Sequence, residues 1–242
     1  MTKQGEKRLL RVGIASCILM IISILVSGPL GLLATLVTKP QPAWVDADTF
    51  VAHFDFVQTV PFFFGLLLVA GSLLLVASTY KLASEDDRAI MFPGVILVSI
   101  YASLISLNYV VQMTFIPALV AHYSPSHGET ISALSMSNPN SLSWAIEMYG
   151  YAFLGLATLF LAPFFKNKAF GTVIRRLLMA NALISVAGAL VTSIDLSWVL
   201  TIAGLASFLI WNALYLAVVV LILISFKRLH SQPSDGERPA RR

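Results

Sequence analysis

The chain has 242 residues, of which 57% are hydrophobic and 12% charged, with a mean hydropathy of +0.83 and a formal net charge of +4. A soluble domain carries about 25% charged residues, so this composition excludes an ordinary water-soluble fold. It predicts an all-α, polytopic membrane protein.

A spanning helix needs roughly 20 apolar residues, because each residue adds about 1.5 Å across about 30 Å of hydrocarbon. Six runs meet that length, at 9–37, 57–80, 90–120, 142–165, 172–194 and 198–226. They predict a six-helix transmembrane bundle as a single domain over 1–229, followed by a polar, disordered tail at 230–242. Fifteen of the sixteen lysines and arginines fall on one side of these spans: on the N-terminal segment, at Lys81 and Arg88, at Lys166 to Arg176, and on the C-terminal tail. Lys39 is the exception. Cytoplasmic connections retain Lys and Arg, so both termini are expected in the cytoplasm and the chain in the plasma membrane. The pI near 9.3 is explained by that asymmetry rather than by nucleic-acid binding. The partners expected for the basic ends are anionic lipid head groups.

The first run follows a basic segment and is longer than the apolar stretch of a cleaved signal peptide, which predicts a retained anchor. Cys17 lies in it and has no partner for an intrachain disulfide. Two longer connections, 38–56 and 121–141, are expected on the outer side. In the first, Asp48 is placed to cap a short turn carrying Phe50 and Phe54. In the second, Asn140 or Ser141 is placed to cap the fourth span, and Asn138-Pro139-Asn140 reads as a turn. Trp44, Tyr123, Trp144 and Trp198 occupy the positions of an outer aromatic belt.

At 100° per residue every run shows a stripe of small or polar residues, which must face other helices because lipid tails satisfy no polar group. Such stripes also supply faces for homo- or hetero-oligomers. The third run has two, Tyr101/Asn108/Gln112 and Ser99/Ser103/Ser106 nearly opposite, and is expected to be central with neighbours on both sides. Running the spans through the membrane puts Gln58, Asn108, Gln112 and Glu147 at similar depth in the outer half, with Tyr101 and Tyr151 deeper. Glu147 is the one carboxylate well inside a span. An ionisable residue there is a functional candidate by default, although its position near the start of a helix also suits a dipole-capping role.

These six residues predict an outward-facing polar pocket that binds or transports a small, partly apolar ligand. A structural or regulatory membrane subunit without a ligand is the alternative. No intramembrane histidine, phosphate-binding glycine loop or cysteine motif is present, so no cofactor is expected, and the chain reads as a non-enzyme. The weakest alternative is an enzyme acting on lipid head groups from the outer face. It would use His53, Asp55, His122, His127 and Glu129, of which the histidines are weak metal-ligand candidates in no standard zinc spacing.

Overall fold

The computed structural model describes residues 2–231. It is all-helical: α1 (Lys3–Ser27), α2 (Pro29–Thr38), α3 (Ala47–His53), α4 (Val60–Leu82), α5 (Glu85–Val110), α6 (Ile116–Ala121), α7 (Gly128–Leu134), α8 (Leu142–Leu159), α9 (Gly171–Ile194) and α10 (Ile202–His230). Five helical stretches are long and apolar enough to cross a membrane: Lys3–Thr38, Phe56–Leu82, Glu85–Ala121, Gly171–Ile194 and Ile202–His230. α8 is not among them. Its 18 residues include Glu147, two tyrosines and a tryptophan. The run expected at 142–165 turns at Phe160 and continues as a 3-10 segment, Ala162–Phe165, carrying Pro163. Proline lacks the N–H that would continue the α-helical ladder. The last helix runs on to His230, the first residue of the expected tail, and 232–242 lie outside the described residues.

Local chemistry sets the helix ends. Thr2, Ser84 and Thr201 each accept a hydrogen bond from the N–H three residues on, capping α1, α5 and α10. The turn between α4 and α5 is closed by Arg88, which donates to the carbonyls of Tyr80 at 3.2 Å and Lys81 at 2.7 Å. These are the orphan acceptors of a helix C-terminus. The expected first run breaks at Gly28-Pro29, where Gly28 leaves helical geometry and Pro29 begins α2.

The long helices pack in chain order, α1 on α4, α4 on α5, α5 on α8, α8 on α9 and α9 on α10, and α10 returns to α1. The result is a ring of six helices. Its interior is a single apolar cluster, with Met20, Leu75, Ile105, Tyr101, Tyr215, Phe165 and Phe226 all under 2% exposed. Leucines, isoleucines and valines cover the outside, among them Leu33, Leu183, Leu190 and Ile202. An apolar exterior suits a lipid solvent, where burial of apolar surface inside is no longer the driving force.

Most hydroxyls of the small-residue stripes bond back to their own helix. Ser16, Ser23, Ser72 and Thr79 each donate to the carbonyl four residues earlier at 2.7–2.8 Å. This mode also corrects the expectation for the third run. Ser99 and Ser103 do not face a neighbour; both are exposed on the outside of α5, with their hydroxyls on Val95 and Ser99 carbonyls. A serine satisfied by its own helix can stand in an apolar environment without a partner helix.

The two longer connections, 38–56 and 121–141, fold together. α3 packs on α7 and α7 on α6, with Ala47, Phe50, Ile116 and Ile131 in one buried cluster and Trp44 and Tyr123 at its edge. The cap of α3 is Asp46, which accepts from the Thr49 N–H at 2.8 Å; Asp48 sits within the first turn and accepts from the Tyr123 phenol. The sequence offered two aspartates two residues apart, and extended backbone at Asp46 selects it.

Candidate functional site

The centre of the site is the contact between the C-terminal half of α5 and the N-terminal half of α8. Asn108 and Tyr109 end the regular part of α5. A π-helical turn, Val111–Phe115, follows and carries Gln112. Such turns insert extra backbone and are found disproportionately at functional sites. From α8 come Ser143, Glu147 and Tyr151, spaced four apart on one face.

Glu147 is 8% exposed. Its Oε1 accepts from the Tyr109 phenol at 2.6 Å, and its Oε2 from Asn108 Nδ2 at 3.0 Å. The Tyr109 and Tyr151 hydroxyls are 3.0 Å apart. Tyr109 spends its single proton on Glu147, so Tyr151 is the donor in that pair. Space for Tyr109 is made by Gly65 on α4, where a Cβ would stand 2.2 Å from the phenol ring. Among the described residues Lys39 and Asp55 form the one ion pair, at 3.0 Å. The Glu147 carboxyl therefore has only uncharged hydrogen-bond partners.

Beside this lies a second layer tied to the segment between α7 and α8. Gln112 Nε2 donates to the Leu134 carbonyl at 2.8 Å and to Ser143 Oγ at 3.1 Å, while its Oε1 accepts from the Met136 N–H at 3.1 Å. Ser143 Oγ donates to the Leu134 carbonyl at 2.6 Å, and Trp144 Nε1 to the Met136 carbonyl at 2.7 Å. Asn108 Nδ2 also lies 3.2 Å from the Ser143 carbonyl. The segment from Leu134 to Ser141 thus closes this end of the site with its own backbone.

Inward from Tyr151 runs a series of aromatic rings. Tyr101 meets Tyr151 edge-on at 5.5 Å, Tyr151 meets Trp211 edge-on at 4.8 Å, and Trp211 stacks on Tyr215 at 5.0 Å. This series crosses the ring interior from α5 through α8 to α10. Several buried polar atoms along it have no partner: Asn108 Oδ1 and the hydroxyls of Tyr101 and Tyr215.

Of the six residues singled out from the sequence, the structure brings five together: Glu147, Asn108, Gln112, Tyr151 and Tyr101. Gln58 stands apart. It exchanges hydrogen bonds with Gln41 and the Lys39 and His53 carbonyls, holding the connection 38–56 instead. It precedes α4, in a 3-10 turn, and so lies outside the helical stripe used to place it. Sequence reasoning missed Tyr109 and Ser143. Ser143 was legible, four residues before Glu147 on the same stripe. Tyr109 was not, because it lies 100° from Asn108 and reaches Glu147 only through the gap at Gly65.

The polar groups around Glu147 bond largely to one another, and the grooves of about 500 Å³ along Lys3–Arg11 and about 460 Å³ along Val95–Leu104 lie elsewhere. Among the described residues His53, His122 and His127 do not converge on a metal site. His53 bonds to its own helix at Thr49, Asp55 is paired with Lys39, and among the described residues no three His, Cys, Asp or Glu side chains are placed to hold a metal ion. Comparison with protein families, curated proteins and solved structures finds no match.

Proposed function

We propose that this integral membrane protein binds a small, partly apolar ligand in its outer half, anchored on Glu147. The observation that carries this reading is a buried carboxyl among uncharged partners, within reach of an unpartnered Asn108 Oδ1. A carboxyl so placed is expensive in a membrane protein and is retained where it binds or relays something. Ligand entry then requires the Leu134–Ser141 segment to move, because its backbone closes the outer end. The site is tested by thermal shift of purified protein against fractionated small-molecule extract. Wild type should be stabilised by a fraction that leaves Glu147→Gln unmoved; equal shifts in both would remove Glu147 from the site.

The orientation belongs to the same proposal: six spans, with α8 and its 3-10 extension as the fourth, and both termini in the cytoplasm. The fifteen-to-one distribution of basic residues supports it. Reporter fusions after Lys81 and Lys168 should read cytoplasmic, and fusions at Pro125 and Asp195 external. A cytoplasmic Pro125 contradicts the topology.

One observation favours a second reading, a structural or regulatory subunit: the hydrogen bonds of Gln112, Ser143 and Trp144 already satisfy the layer above Glu147. In that case no extract fraction stabilises the wild type.

A further inference from the structure

We propose that the ligand of the Glu147 centre is an N–H-bearing organic cation, a protonated primary or secondary amine with a compact apolar body. This rests on the ligand-site reading above and adds the chemical class. The first ground is a count of donors and acceptors. Around Glu147 the N–H groups of Asn108, Gln112 and Trp144 are committed, as are the O–H groups of Tyr109, Tyr151 and Ser143. What remains beside the carboxyl is acceptor capacity. An ionised carboxylate offers about four lone-pair sites, of which two are used here, and Asn108 Oδ1 is buried at 2% exposure with no partner at all. An occupant that completes this site must donate hydrogen bonds.

Charge is the second ground. Among the described residues no cationic side chain bonds to Glu147, so an anionic ligand would add like charge to a buried carboxylate, whereas an ammonium supplies the missing counter-charge. The third ground is the ring series. Tyr151 and Trp211, both half-buried, and the fully buried Tyr101 and Tyr215 follow directly inward from the carboxyl. Aromatic faces attract ammonium groups and take up apolar bodies, and the unpartnered Tyr101 and Tyr215 hydroxyls, farther along the series, are free both to accept and to donate. A quaternary ammonium meets the charge and the rings but leaves the acceptors unmet.

The test is calorimetric titration of the purified full chain in detergent with four probes sharing one apolar body: phenethylammonium, its N,N,N-trimethyl derivative, 2-phenylethanol and 3-phenylpropionate. Phenethylammonium should bind saturably, the trimethyl derivative at least about tenfold more weakly for lack of N–H donors, and phenylpropionate not at all. Glu147→Gln should abolish phenethylammonium binding. Equal affinity for the trimethyl derivative overturns N–H recognition. Binding of the alcohol or the carboxylate that disappears in Glu147→Gln overturns the cation class while leaving the ligand site standing. If no probe binds, or if binding survives Glu147→Gln, both fail. The wild-type probe series decides the class even if the variant does not fold.

Discussion

The Tyr109 phenol, on α5, donates a 2.6 Å hydrogen bond to Oε1 of Glu147, on α8. The bond joins two helices that share no sequence neighbourhood, and it depends on a third, because Gly65 of α4 leaves room for the Tyr109 ring. Asn108 takes the other carboxyl oxygen. The two contacts clamp the C-terminal half of α5 to α8.

Glu147→Gln and Glu147→Leu should therefore separate. The amide keeps the shape and part of the hydrogen bonding, whereas leucine leaves the Tyr109 hydroxyl and Asn108 amide unsatisfied, at about 1–3 kcal/mol for each group. Denaturation midpoints in detergent check this. Equal midpoints for the two variants would mean that the clamp contributes nothing to stability.

Gly65→Ala should destabilise by about 1–3 kcal/mol, since the new Cβ overlaps the Tyr109 ring. Combined with Tyr109→Ala the clash disappears, so the two changes should be strongly non-additive. Additive losses would show that the ring does not occupy that space.

Ser103 and Ser72 give a contrast on serines with the same backbone bond. Ser103 is exposed on α5, and Ser72 is buried at 1% exposure on α4. Ser103→Leu should change stability by less than about 0.5 kcal/mol, and Ser72→Leu should cost about 1–3 kcal/mol by overpacking. Similar losses at both positions would put Ser103 in a helix interface.

The connection 38–56 should respond to acid through Asp55. Its carboxyl is held below the ordinary value by the Val57 N–H and then by Lys39. The ordering it contributes is present above the unfolded carboxylate range, about pH 4. It is lost as pH falls through the lower, folded value. Hydrogen exchange across residues 39–59 should rise in that window, and Asp55→Asn should remove the acid-dependent component. An unchanged acid response in Asp55→Asn assigns it to another group.

Helix content and the inward stripes were legible because apolar length and 3.6-residue periodicity depend only on local sequence. Glu147, Asn108 and Gln112 were found together for that reason. The breaks at Gly28-Pro29 and before Pro163 alter helix boundaries without altering hydropathy, so the runs read as longer than the helices are. Ser99 and Ser103 misled because a hydroxyl stripe looks the same whether it meets a neighbour or bonds to its own carbonyls. The closure of the site by Leu134 and Met136 was invisible, since their backbone groups do the bonding and side-chain chemistry carries no trace of it.

The most direct measurement of the central claim is native mass spectrometry of wild-type protein and Glu147→Gln, purified in parallel in mild detergent. Wild type should carry a small-molecule adduct released on activation, and Glu147→Gln, equally folded, should be bare. The same adduct at the same occupancy in both proteins, or none in wild type, contradicts a ligand anchored on Glu147.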